Sequence, residues 1–166
     1  MEIEEEFPLL NEIKDRDIKE KVKKCYEIAM KRGKWNSLRE IPFTLLLENP
    51  YSYVEHVNNV ASMAYEIGKI KKLNMDNLIA GAILHDIGKL LEYEKKDGRV
   101  VKSNFGKHVR HPVAGAALAM EVGLNEEIVN IIASHSKEGE FVTRCKEAIV
   151  IHHCDFIDFE IAGGKP

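Results

Sequence analysis

Apolar residues recur every three or four positions along most of this chain, which is the spacing of one face of an α-helix. In the N-terminal part, a helix over about residues 11–31 is predicted by the shared apolar face of Ile18, Val22, Cys25 and Ala29. A shorter helical piece is predicted between residues 35 and 48, before Asn49-Pro50. Together these segments predict an N-terminal helical extension over about residues 9–48.

The helical spacing continues after Ser52, where Ser52-x-x-Glu55 forms a capping box at the start of a helix. Further helices are predicted through Ala82–Leu90, from His111-Pro112, after Asn125 and over about residues 143–159. Residues 92–107 differ, because they are polar and contain Asp97-Gly98, which favours a small β-hairpin or a loop insertion. We therefore predict an all-α protein: one compact helical bundle over residues 1–166, with its core at about 52–160.

Composition narrows the class of protein. The 166 residues suit one domain, and a net charge of -3 gives no general affinity for nucleic acid. The three cysteines form no CxxC pair, the acidic start MEIEEEFP lacks the features of an export signal, and no apolar run approaches the ~20 residues of a membrane span. These features predict a cytoplasmic protein with reduced thiols and no membrane association.

Residue types that bind metals fall on the predicted inward faces of several helices. They are His56, His85-Asp86, His111 at a helix start, His135 and Asp155. A carboxylate on an apolar face is costly to bury unless it is paired or bound to a metal, and Asp86 lies on such a face. One inward histidine is more often an ordinary core residue, but the set together predicts a site for one or two divalent ions. Asp158, one turn from Asp155, is an alternative ligand.

This pattern resembles the HD superfamily of metal-dependent phosphohydrolases, over about residues 52–160. The motifs that carry the resemblance are LHDIGK, HPVAGAALA, IIASH and IVIHHCDFID, whose order is most similar to that of the HD domain of ribonuclease Y. The resemblance implies a first metal held by His56, His85, Asp86 and Asp155, and a second held by Asp86, His111 and His135, with Asp86 bridging.

The resemblance also implies an activity. We expect hydrolysis of a phosphomonoester or phosphodiester, on a nucleotide or short oligonucleotide, by metal-activated hydroxide attack on phosphorus. Asp86 and Lys89 are the expected catalytic residues, and Lys89 should contact a phosphate oxygen at the mouth of the site. Manganese, iron, cobalt, nickel or zinc would all suit these ligands.

Two alternatives and several partners stay open. Some HD proteins use the same ligands in a di-iron oxygenase, and a non-catalytic nucleotide-binding module would keep the fold without turnover. The expected partner is a small phosphorylated substrate, with nucleic acid only as a short single strand and with a homo-oligomer left open.

Overall fold

The computed structural model describes residues 3–165, and helices dominate it, which confirms the all-α class. The α-helices are α1 (Ile3–Glu6), α2 (Arg16–Gly33), α3 (Tyr53–Lys71), α4 (Met75–Leu84), α5 (Lys89–Glu92), α6 (His111–Glu121), α7 (Glu126–Ser134) and α8 (Lys146–Ile161). Short 3-10 helices cover Pro8–Glu12, Leu38–Glu40 and Lys137–Phe141. None of the helices within residues 3–165 is both long and apolar enough to cross a bilayer.

Helix α4 lies at the centre of the bundle. Every residue from Asn77 to Leu84 is buried, and the helix contacts α2, α3, α7 and α8. Such a helix, apolar on all sides, can only be stable when other helices surround it. The N-terminal extension shares this core, because Phe7, Leu10 and Tyr26 belong to the same buried cluster as Ile83.

Side-chain caps set the start of several helices. The Ser52 hydroxyl accepts a hydrogen bond from the backbone N–H of Glu55 at 3.2 Å, which confirms the predicted start of α3. Asn125 caps α7 in the same way, through the N–H of Ile128 at 3.0 Å. Both caps precede helices that carry or lead to predicted metal ligands.

Two N-terminal helix predictions are wrong in their bounds. The helix expected over 11–31 begins later, at Arg16, because the Asp15 side chain caps it there. The piece expected over 35–48 contains only the turn Leu38–Glu40, and the chain then forms an irregular segment, residues 41–52, which we call the strap. Two hydrogen bonds close the strap, one from the N–H of Tyr53, directly after it, to the carbonyl of Ile41 and one from Phe43 N–H to the carbonyl of Tyr51.

The insertion predicted at 92–107 is a β-hairpin followed by a turn. Strands β1 (Tyr93–Lys96) and β2 (Arg99–Lys102) pair antiparallel, with Tyr93 opposite Lys102. Asp97 and Gly98 form the tip and have φ values of 51° and 78°. Two positive φ angles are typical of a type I′ hairpin turn, which confirms the interpretation of Asp97-Gly98.

Candidate metal centre

The four histidines and two aspartates predicted as metal ligands lie side by side in the interior of the bundle. His56 is in the first turn of α3, His111 is the first residue of α6, and Asp155 lies within α8. His85-Asp86 and His135 directly follow the ends of α4 and α7. Asp155 has the most exposed side chain of the six, at 17%, so the cluster is almost fully enclosed.

The prediction that His85-Asp86 lies within a regular helix is wrong. Helix α4 ends at Leu84, and residues 85–88 continue as tight turns, such as the 3.0 Å bond from Ile87 N–H to the Leu84 carbonyl. The physical reason lies at Gly88, where a Cβ would overlap the carbonyl oxygen of His111. The backbone at Gly88, directly before α5, therefore touches that of His111, the first residue of α6, and this contact places Asp86 beside His111.

Asp86 divides the cluster into two halves, because its two oxygens face different histidines. Its Oδ2 lies 3.4 Å from Nε2 of His56 and 3.6 Å from Nε2 of His85. Its Oδ1 lies 3.2 Å from Nε2 of His111 and 3.5 Å from Nε2 of His135. We call these the first half (His56, His85, Asp86 and Asp155) and the second half (Asp86, His111 and His135).

In each half, one histidine is oriented by the backbone of its own helix end. Nδ1 of His85 is 2.7 Å from the carbonyl oxygen of Ala82, and Nδ1 of His135 is 2.8 Å from that of Ile132. A carbonyl oxygen only accepts, so Nδ1 carries the proton in both rings. Nε2 of each ring therefore presents a lone pair to the centre, as a metal ligand must.

The other histidine of each half is oriented by a carboxylate from elsewhere in the chain. Nδ1 of His56 donates to Asp158 at 2.6 Å, and Nδ1 of His111 donates to Glu92 at 2.7 Å. Both contacts again leave Nε2 as the atom that faces the centre. Glu92 was absent from the sequence prediction, and Asp158 was predicted there only as an alternative ligand, whereas its carboxylate contacts the far side of His56.

The inward-facing nitrogens fit a bound cation. Nε2 of His135 is buried and has no hydrogen-bond partner among residues 3–165. Nε2 of His56 and Nε2 of His85 are only 3.2 Å apart, so both nitrogens point into the same space in the centre. A divalent metal bound to these atoms would satisfy all of them, so the residues present fit a metal site.

The electrostatics of the centre also favour positive charge. Burial opposes ionisation of Asp86, but Lys89 and the neighbouring histidines hold the pKa of that carboxyl well below its usual range. Burial lowers the pKa of His85 to about 4. Burial acts in the same direction on His56, yet hydrogen bonds to Asp155, Asp158 and Asp86 outweigh it and raise its pKa to about 10. The carboxylates therefore stay ionised and attract a cation, whether a proton or a metal.

Lys89 lies deeper than the sequence predicts. Its side chain is 9% exposed, and its ammonium group donates to Oδ2 of Asp86 at 2.5 Å and to the carbonyl oxygen of Phe43 in the strap. An ammonium group has three N–H donors, so these contacts leave one for another acceptor. Lys89 also lines the cleft above the centre, which is where a substrate would supply that acceptor.

The cleft that leads to the centre has a volume of about 310 Å³. Asp86 and Asp155 of the centre line it. Its apolar lining residues are Phe43, Leu45, Leu46, Phe156 and Phe159, and its basic ones include Lys102, Arg110 and Lys137. Leu46 is 80% exposed, so the cleft presents apolar surface to whatever enters it.

Comparison with known proteins agrees with this geometry. The family model of the HD domain matches residues 53–159. Ribonuclease Y of Pseudothermotoga lettingae is 29% identical over 112 residues, which are 68% of this chain and 19% of that protein. Ribonuclease Y of Thermotoga petrophila is 33% identical over 103 residues, which are 62% of this chain and 17% of that protein. The chain thus spans about a fifth of the length of these relatives.

A relative of more similar length is the dihydroneopterin 2′,3′-cyclic phosphate phosphodiesterase of Methanocaldococcus jannaschii. It is 26% identical over 170 aligned positions, which cover 92% of this chain and 67% of that protein. No solved structure gives a significant match. Because the family model covers more than half of the chain, the protein belongs to the HD-domain family.

Proposed function

We propose that this protein is a metal-dependent phosphohydrolase that cleaves a phosphate ester of a nucleotide-like substrate. The observation that carries the proposal is the division of Asp86, whose two oxygens each face a separate set of inward-pointing histidine nitrogens. A shared carboxylate between two ligand sets is the arrangement used in two-metal hydrolytic sites. Membership in the HD-domain family and the names of the relatives support the same class of reaction.

The proposed ligands are the six residues predicted from the sequence, namely His56, His85, Asp86, His111, His135 and Asp155. Divalent ions bound there would draw charge from the phosphoryl oxygens and lower the pKa of a water molecule. The ligand types do not select among manganese, iron, cobalt, nickel and zinc.

Lys89 has a defined part in this proposal. Its ammonium charge lies beside the Asp86 carboxylate, and its remaining donor can reach an anionic oxygen of a substrate in the cleft. A positive charge held in place by Asp86 and by the Phe43 carbonyl needs no reorganisation when charge develops on the phosphate. We therefore keep Asp86 and Lys89 as the proposed catalytic pair.

The shape of the cleft supports a substrate that joins a planar ring to a phosphate. Phe156 and Phe159 line the cleft with aromatic surface, and Lys137 adds positive charge beside Lys102 and Arg110, which are paired with Glu92 and Glu138. Aromatic side chains stack on bases, and basic residues bind phosphate oxygens. A volume of about 310 Å³ is at the small end for ligand sites, which favours one nucleotide or the end of a short strand over a long polymer.

A phosphodiester is the substrate that we favour over a monoester. Both kinds of relative are named for reactions on phosphodiesters, a ribonuclease and a cyclic phosphate phosphodiesterase. Substrate panels should therefore begin with cyclic nucleotides and short single-stranded oligonucleotides.

Hydrolysis of bis-p-nitrophenyl phosphate by metal-stripped protein refilled with manganese tests the proposal. We expect turnover by the wild type and a loss of about 10³-fold in Asp86→Asn, equivalent to about 4 kcal/mol of transition-state stabilisation. Glu94→Gln, which changes an exposed carboxylate of the hairpin, is the matched control. Metal-loaded wild type that hydrolyses neither this ester nor any nucleotide, but consumes dioxygen when loaded with iron, would contradict the proposal in favour of an oxygenase.

A further inference from the structure

Two carboxylates outside the six proposed ligands, the buried Glu92 and the half-buried Asp158, each hold one histidine of the centre. We propose that they are positioning residues, each acting on the metal site of a different half. This inference rests on the proposed metal function. Glu92 controls metal occupancy of the second half, and Asp158 controls metal occupancy of the first half. The argument depends on what each carboxylate contacts and on what it does not contact.

Glu92 fixes both the ring and the backbone of His111. Its Oε2 accepts from Nδ1 of His111 at 2.7 Å and from the backbone N–H of the same residue at 2.8 Å. Its Oε1 lies 3.3 Å from the ammonium nitrogen of Lys102. One carboxylate thus sets the position of the first residue of α6 and the direction of its Nε2, while it contacts no ligand of the first half.

The hairpin insertion holds Glu92 in place. The backbone N–H of Ser103 donates to the carbonyl oxygen of Glu92 at 2.8 Å, and Gly106 packs so closely on that carbonyl that a Cβ would overlap it. Lys102, at the end of β2, completes the contact through its ion pair. The hairpin and the following turn therefore act on the second half through Glu92, which gives this insertion a role in the centre.

Asp158 has the equivalent position in the first half. Its Oδ2 accepts from Nδ1 of His56 at 2.6 Å and from the hydroxyl of Tyr51 at 2.5 Å, and its Oδ1 accepts from the side-chain amide of Asn59 at 3.0 Å. These three donors, from the strap and α3, fix the orientation of the carboxylate. Through Tyr51 and Asp158, the strap is connected to His56 of the first half.

The remaining histidine of each half needs no such support. His85 and His135 are held by carbonyl oxygens three residues earlier in the chain, so they keep their orientation in variants of either carboxylate. Each half therefore contains one locally held and one carboxylate-held ligand. Loss of a carboxylate should weaken its own half and spare the other.

Metal titration of the full chain, without any substrate, tests this assignment. Metal-stripped protein is titrated with Co²⁺ by calorimetry, and bound metal is counted after gel filtration. We expect two ions in the wild type, a Kd about 10–100-fold higher for one of them in Glu92→Gln, and the same for the other ion in Asp158→Asn. Glu94→Gln and Glu160→Gln, which change exposed carboxylates close to each site, should match the wild type.

A double-variant experiment identifies which ion each carboxylate controls. In a His135→Ala background, which removes a ligand of the second half, Glu92→Gln should cause no further loss of binding. Asp158→Asn in the same background should weaken the ion that remains. A purely structural role would instead lower the melting temperature of the metal-free protein and weaken both ions together.

The outcomes separate the two proposals. Wild type that binds fewer than two ions contradicts the proposed two-ion function, and the assignment of the carboxylates with it. Wild type that binds two ions, with Glu92→Gln and Asp158→Asn weakening the same ion, both ions or neither, contradicts the positioning roles alone.

Discussion

The two halves of the centre differ in the number of their ligands and in the charged groups beside them. The first half contains Asp86 and Asp155, and the Lys89 ammonium binds the Asp86 oxygen that faces it. The second half has only the shared carboxylate, with His111 and His135 as its other ligands. Lys89 offsets part of the negative charge of the first half, but that half has a fourth ligand, the Asp155 carboxylate, which predicts tighter binding of a cation there. One shared aspartate can thus serve two metal sites of unequal affinity. The first half should bind its ion at a lower metal concentration than the second half.

The largest expected effect comes from the one residue that belongs to both halves. Asp86→Asn removes the charge that faces all four histidines, so both ions should bind more weakly and turnover should fall by about 10³-fold. Metal content measured beside hydrolysis of bis-p-nitrophenyl phosphate checks both effects. If one ion stayed bound with its original affinity, Asp86 would belong to one half only, and the comparison would fail.

Lys89→Met should have a smaller effect on turnover, and it should change metal affinity and turnover in opposite directions. The ammonium competes with a metal for Oδ2 of Asp86, so its removal should tighten binding in the first half and leave the second half unchanged. Turnover should nevertheless fall by about 10²-fold, because a donor for the phosphate is lost. Cobalt titration measures the metal affinity of each half, and steady-state kinetics on the same preparation measure turnover. Unchanged turnover would remove Lys89 from the proposed catalytic pair.

The smallest effect on activity should come from Gly88→Ala, which changes the second half only by displacing the backbone of His111. The added Cβ meets the His111 carbonyl, so α5 and α6 must separate, at a cost of about 1–3 kcal/mol in the free energy of unfolding. Binding in the second half should weaken, while the first half keeps its ion.

The control for this steric prediction is Gly98→Ala at the hairpin tip. There a Cβ would meet no atom within 4 Å, although φ is 78°. It should lower the free energy of unfolding by about 1 kcal/mol through backbone strain alone, with metal binding unchanged. Chemical denaturation and metal titration of both variants measure this pair, and equal metal binding in both would argue against a steric route from Gly88 to His111.

Much of the centre could be predicted from the sequence, because its ligands lie at predicted helix faces and helix ends. Helical spacing after Ser52 placed His56 inward, and the apolar surroundings of Asp86 indicated that something must satisfy its charge. The helix through His85-Asp86, however, ends at Leu84. The close contact of Gly88 with His111 joins two segments that no local pattern relates.

The supporting residues could not be predicted, for the same reason. Glu92 and Asp158 contact histidines 19 and 102 positions away, and nothing in their own neighbourhood marks them as partners. The depth of Lys89 depends on the strap, whose Phe43 carbonyl accepts from it. That strap was predicted as part of a helix, and its shape depends on the hydrogen bonds that close it rather than on any periodic pattern.

The most direct test of the central claim is a crystal structure of the manganese-loaded protein with anomalous diffraction at the manganese edge. Two peaks are predicted, one between Oδ2 of Asp86 and the ligands of the first half, and one between Oδ1 of Asp86 and the ligands of the second half, with the first peak stronger at limiting metal. A single peak, or peaks that do not share Asp86, would contradict the account.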